Sequence, residues 1–180
     1  VVMLHDYHLY VAPSMIRAAR PDALLHFFVH IPWPQPDAWR ILPPHIRETI
    51  LRGLLACDIV SFHTRGYARN FMLTCEELLD IPGDYRRRQI SWDGRDVWIR
   101  SYPISINAPL FRKMADGPEV AAEEDNVLRR RRRYMVCRID RTDLSKNILR
   151  GFKAFDRFLD QPPEFAEQIT FLAMLQPSRQ

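Results

Sequence analysis

The run Leu24-Leu25-His26-Phe27-Phe28-Val29-His30-Ile31-Pro32-Trp33-Pro34-Gln35-Pro36 decides the fold class. Residues 24–29 are apolar on both faces, the pattern of a parallel strand covered by helices on either side. Three alternating prolines then forbid helix or central strand, so the stretch that follows is a stiff, exposed loop at the strand's C-terminal end. Upstream, residues 1–4 form a short apolar strand ending in the polar cluster His5-Asp6-Tyr7-His8. A helix starts near Ala12 with Pro13 in its first turn, where proline is well tolerated, and ends around Arg20-Pro21. Downstream, Ile46, Ile50, Leu51, Leu54 and Leu55 recur at helical steps from Pro44. Residues 59–62 are a third strand, and Thr64 caps a helix running to about Leu79. Residues 89–92 and 96–100 flank Asp93-Gly94, the signal of a type I′ hairpin. Strand alternating with helix predicts an α/β fold with a parallel sheet, here with an antiparallel ribbon attached.

The texture changes after Tyr102-Pro103-Ile104. Residues 107–127 are polar and acidic without a strong apolar period. Residues 134–139 restart a strand, 146–159 form a helix with Ile148, Leu149, Phe152, Phe155, Phe158 and Leu159 on one broad face, and 169–175 are strand-like again. A domain boundary is expected near residues 107–114, dividing the chain into 1–110 and 111–180, with no solenoid-like repeat. Strand-like sequence near both termini predicts an internal piece of a longer protein.

Composition narrows the class. The chain has 180 residues, 47 % hydrophobic, 11 % aromatic and 27 % charged, which is ordinary globular usage. No apolar run approaches the roughly 18–20 residues of a membrane helix. The five arginines at 129–133 carry +5 against a net charge of +4, so the rest of the chain stands at −1. The basic pI therefore reports one local feature. That run reads as a solvated helix end complementing a C-terminal dipole, with a phosphate-binding or localisation patch as the alternative. Cys57, Cys75 and Cys137 lie far apart and are odd in number, which suits reduced, buried thiols and a cytoplasmic location.

Ligands of open α/β sheets bind beyond the C-terminal ends of strands, and four polar clusters fall there: His5 to His8, His30 with the proline loop, His63-Thr64, and Arg141-Thr142-Asp143-Leu144-Ser145-Lys146. The last joins a strand end to a helix start, with Ser145 or Asp143 as N-cap. A helix N-terminus attracts anions, and Arg141 and Lys146 add two cations. Each charge pair at ~4 Å is worth ~4 kcal/mol before desolvation at an effective dielectric of ~20. That suits a diphosphate leaving group; the alternative is an Arg–Asp capping network without a ligand. Asp6 is a candidate acceptor of hydrogen bonds from sugar hydroxyls, or a turn cap. His30 is a pocket or a structural histidine. Trp33 and Trp39 belong to the core or floor a sugar site, and the proline-held exposure of Trp33 favours the second. His5 and His8 lack a further ligand at suitable spacing, so no metal is predicted.

The stretches His5-Asp6-Tyr7-His8-Leu9, Phe27-Phe28-Val29-His30-Ile31-Pro32-Trp33-Pro34, Phe62-His63-Thr64 with Tyr67-Ala68-Arg69, Tyr102-Pro103-Ile104, Asp140-Arg141-Thr142-Asp143-Leu144-Ser145-Lys146 and Pro177-Ser178-Arg179 resemble, in order, the motifs of the trehalose-6-phosphate synthase family. The resemblance covers essentially the whole chain and matches the middle third of such enzymes. It implies a GT-B fold of two Rossmann-like domains, with residues 1–110 from the N-terminal, acceptor-side domain and 111–180 opening the nucleotide-sugar domain. The implied reaction moves glucose from a nucleotide-diphosphate sugar to glucose 6-phosphate, with retention and without metal or other cofactor.

By the same resemblance, Arg141 and Lys146 hold the donor diphosphate, Asp6 contacts acceptor hydroxyls, Arg179 takes the acceptor phosphate through its guanidinium fork, and His30 lines the pocket near the transferred sugar. The family reads Pro-Ile-Gly-Ile-Asp where this chain has Pro103-Ile104-Ser105-Ile106-Asn107, a glycine at Asn147, and commonly phenylalanine at Trp33. Synthases acting on other acceptors (glucosylglycerol-phosphate or validoxylamine-phosphate synthase) and a catalytically silent regulatory subunit stay open as alternatives, as does a homo-oligomer. Nucleic acid and membrane are not expected partners. The family's N-terminal glycine-rich loop and its donor-ribose region have no counterpart among the 180 residues, so the piece alone is expected to be inactive and marginally folded.

Overall fold

Strands β1 (Val2–His5), β2 (Leu25–Val29) and β3 (Ile59–Phe62) follow one another in sequence and in space, each parallel to the last. Parallel neighbours need long crossovers. These are α1 (Ala12–Ala19) for the first pair, and α2 (Pro36–Trp39) with α3 (Pro44–Leu55) for the second. Helix α4 (Arg65–Leu79) leads on to β4 (Gly83–Asp84), β5 (Gln89–Trp92) and β6 (Arg95–Ser101). β6 returns parallel to β3, β5 pairs antiparallel with β6 and β4 antiparallel with β5, giving the order β1-β2-β3-β6-β5-β4. The structure, a computed structural model, describes residues 1–160 and 165–178. It divides into two units, Val1–Ile106 and Asn107–Gln180.

Local chemistry sets the element ends of the first unit. Thr64 Oγ1 accepts the Tyr67 N–H at 3.1 Å, so α4 starts where the cap predicts. Asp80 ends it in the left-handed region with φ 56°. Asp93 and Gly94 both have positive φ, 48° and 72°, as a type I′ turn requires. Leu25, Phe27 and Val29 are fully buried, with Val60, Phe62, Ile99, Leu51, Leu54 and Phe71 in the same core. Buried Arg17 binds the start of β2 to the end of α3: it donates to the carbonyls of Pro21, Ala23 and Ala56 and pairs with Asp58 at 2.7 Å. Asp58 also accepts the Leu25 N–H at 2.7 Å.

Trp33 departs from expectation. It is 1 % exposed, stacks on Trp39 at 4.4 Å, and donates from Nε1 to Thr74 Oγ1 at 3.1 Å. The prolines aim the ring inward against Phe62 and Phe71, so Trp33 is core and floors no sugar site. The thiols divide as well: Cys57 and Cys75 are buried, whereas Cys137 is exposed. Burial pushes the Cys57 thiol up to about 12.

The second unit begins with two helices, α5 (Ala108–Ala115) and α6 (Pro118–Arg130), where the sequence shows no strong period. Each carries an apolar face, and Leu110, Phe111 and Met114 of α5 and Val120 and Leu128 of α6 are exposed. Asn107 Oδ1 caps α5 through the Leu110 N–H at 3.1 Å. Arg129 and Arg130 form the last turn of α6, and the next three arginines lead into β7 (Tyr134–Arg141). Helix α7 (Ile148–Asp160) and β8 (Ile169–Gln176), parallel to β7, complete the unit.

Candidate active site

Within the first unit, three of the expected polar clusters meet at the C-terminal ends of β1, β2 and β3. His5 Nδ1 lies 3.0 Å from His30 Nε2, and the His30 ring is 5.7 Å from that of His63, with Phe28 packed against both. His8 stands apart, stacked on Tyr7 at 3.9 Å. Among the described residues, no group of three potential ligands fits a metal ion. Farther back along β2, His26 Nε2 is 2.7 Å from Ser61 Oγ. Desolvation, reinforced by His5, holds the His26 pKa below its ordinary value.

Asp6 is the strained member of this edge. Its φ and ψ are 71° and 160°, a region populated almost only by glycine and costing of the order of 1–3 kcal/mol for other residues. Two bonds hold it there: its N–H donates to Phe28 O at 3.1 Å, and its Oδ1 accepts the Tyr7 N–H at 2.9 Å. The cap uses only Oδ1 of this half-buried residue, so the two roles read for Asp6 are compatible.

In the second unit, the loop between β7 and α7 gathers the cations. The helix does not begin at Lys146 as the sequence predicts. A single 3-10 turn, Leu144–Lys146, comes first, and Asn147 then adopts φ 51° and ψ 40° before α7 starts at Ile148. Neither Ser145 nor Asp143 caps α7. Asp143 instead accepts from Ser178 Oγ and pairs with Arg141 at 3.1 Å. Arg138 donates to Asp140 at 2.9 Å and to the Lys146 carbonyl at 2.5 Å, bracing the turn from below. Gly151 leaves room for the Arg138 guanidinium, which a Cβ there would displace.

Lys146 forms no ion pair among the described residues. It lines a hollow of about 570 Å³ with Arg141, Asp140 and Gln176. Both alternatives read for this loop are thus partly present: Arg141 sits in an Arg–Asp network, and Lys146 is uncommitted. Arg179 lies outside the described residues.

The architecture is that of GT-B glycosyltransferases. A trehalose-phosphate synthase (UDP-forming) from Burkholderia xenovorans, in complex with glucose-6-phosphate, superposes with a TM-score of 0.76 at 27 % identity over 99 % of this chain and 39 % of its own. The Candida albicans trehalose-6-phosphate phosphatase N-terminal domain does so with a TM-score of 0.73 at 26 % identity, over 98 % of this chain and 38 % of its own. In sequence, the UDP-forming alpha,alpha-trehalose-phosphate synthase of Schizosaccharomyces pombe is 32 % identical over 188 residues, covering this chain entirely and 35 % of the yeast protein. The chain belongs to glycosyltransferase family 20, whose profile matches residues 1–180.

Proposed function

We propose that the protein transfers glucose from a nucleotide-diphosphate sugar to glucose 6-phosphate and yields α,α-trehalose 6-phosphate with retention. The reading rests above all on the loop of Arg141 and Lys146, which offers cationic groups beside a ligand-sized hollow at a strand end. Transfer breaks the bond between the glucose C1 and the diphosphate oxygen and forms a bond from C1 to the acceptor hydroxyl oxygen. The bonding pair leaves with the diphosphate, whose freed oxygen takes up the proton that the acceptor hydroxyl loses. Lys146 and Arg141 stabilise that growing charge, and preorganised cations act most strongly where water is excluded. Asp6 orients acceptor hydroxyls, His30 lines the pocket of the transferred sugar, and Arg179 receives the acceptor phosphate. Residues 1–110 then serve the acceptor side and 111–180 the nucleotide sugar, in the cytoplasm and without a metal or other cofactor.

A second reading is a regulatory copy that binds sugar phosphates without turnover. The similarity to the Candida domain, described as part of a phosphatase, favours it. Incubating the intact protein with UDP-, GDP- and ADP-glucose, with and without glucose 6-phosphate, separates the two. Acceptor-dependent nucleotide release giving a disaccharide phosphate, lost in Arg141→Ala and Lys146→Ala, supports the transferase. Binding without release supports the regulatory copy.

A further inference from the structure

Away from the histidines, the first half of α4 and the turn between β4 and β5 enclose a recess of about 340 Å³, lined by Arg65, Arg69, Arg88, Tyr85, Ala68 and Met72. That volume lies within the roughly 300–1,000 Å³ typical of small-molecule sites. Arg65 and Arg69 are one helical turn apart and share a face, while Arg88 comes from the opposite wall.

None of the three guanidiniums forms an ion pair among the described residues, because the nearby carboxylates are committed elsewhere. Glu76 accepts the Tyr85 hydroxyl at 2.5 Å. Asp84 accepts the N–H groups of Arg86 and Arg87 at 2.9 and 2.8 Å, and its second oxygen is 3.8 Å from the Arg87 guanidinium.

The Arg88 backbone and the Tyr85 ring are held by the fold, while the three exposed guanidiniums reach over the recess. Arg88 is held at φ 56°, and its carbonyl accepts from the Ile99 N–H at 2.9 Å and from Arg100 Nη1 at 3.1 Å. The Tyr85–Glu76 bond fixes the ring. Ala68 and Met72 are buried and supply an apolar floor. Three uncompensated guanidiniums around an apolar floor match a compact dianion attached to an apolar or planar body, since guanidinium forks pair with phosphate oxygens.

We propose that this recess is a binding site for a small organic phosphomonoester, with its phosphate among Arg65, Arg69 and Arg88 and its body over Ala68, Met72 and the Tyr85 ring. The site shares no residue with the histidine cluster or the Arg141–Lys146 loop, and it stands whether or not the proposed transfer reaction is correct.

Phenyl phosphate is the probe. It is titrated calorimetrically into the intact protein carrying Arg141→Ala, Lys146→Ala and Arg179→Ala, which removes the phosphate-binding groups of the proposed transfer site, and hydrogen exchange locates the binding. Saturable binding that protects residues 65–72 and 84–88, and weakens at least tenfold in Arg69→Gln/Arg88→Gln, is the expected result. Arg65→Gln provides the same loss without touching the turn at Arg88. Arg52→Gln, whose guanidinium lies over Trp92, should bind as the parent does. Protection confined to other segments, affinity unchanged within twofold in both recess variants, or equal binding of benzyl alcohol would overturn the proposal.

Discussion

His5 and His30 face each other through ring nitrogens 3.0 Å apart, one at the end of β1 and the other just beyond β2. One ring must donate and the other accept, so the tautomers of the two rings are coupled and His5 orients His30. Replacing His5 by leucine removes that partner, and a hydrogen bond of this kind contributes about 1 kcal/mol. In the intact protein, His5→Leu should lower kcat by roughly fivefold to tenfold, with little change in KM for the nucleotide sugar, and His5→Asn should recover part of the loss. Equal kcat values for His5→Leu and the parent would remove the positioning role.

The strain at Asp6 has its own signature. Alanine and glycine both lack the carboxylate, but only glycine is at ease at φ 71°. Asp6→Gly should therefore be more stable than Asp6→Ala by about 1–3 kcal/mol in urea denaturation. Both should lose turnover. Equal stabilities would mean that the backbone there is relaxed.

Asp58 links stability to acid. Burial raises its carboxyl, but the Leu25 N–H and Arg17 outweigh burial and hold its pKa below the ordinary value. The unfolded chain, with an aspartate near about 3.9, then binds protons more readily than the folded one. The contribution is present above about pH 4 and is lost as pH falls through the folded value. The stability gap between the parent and Asp58→Asn should be widest near neutrality and should close below about pH 4. A gap that persists unchanged to lower pH would contradict the linkage.

Asn147 occupies the left-handed region where the resembled family carries glycine. Asn147→Gly should keep the thermal midpoint, whereas Asn147→Val, with a branched Cβ, should cost about 1–2 kcal/mol. It should also raise KM for the nucleotide sugar, because Lys146 immediately precedes the turn. An unchanged KM in the valine variant would separate Lys146 from donor binding.

Much of this was legible in the residue order. The alternation of strand and helix, the Thr64 cap and the Asp93-Gly94 turn are local signals, and the structure follows them. The burial of Trp33 is not legible locally, because prolines report backbone stiffness and carry no information about which way a ring points. Its direction is set by Phe62, Phe71 and Thr74, at least 29 residues away in sequence. The start of α7 shifted for a similar reason. Asp143 finds Arg141 and Ser178 as partners, the second 35 residues distant, and is lost as a helix cap. The meeting of His5, His30 and His63 followed from the rule for strand ends. The bond between the first two did not, since it depends on register.

The first unit encloses its own core, in which Leu25, Phe27, Val29, Val60 and Phe62 are fully buried. Amide protons of β2 and β3 should therefore exchange with solvent only on global opening. A diphosphate bound at the Arg141–Lys146 loop would favour the folded chain by about 2.7 kcal/mol at a concentration one hundred times its Kd, so the melting point of the intact protein would itself report donor affinity.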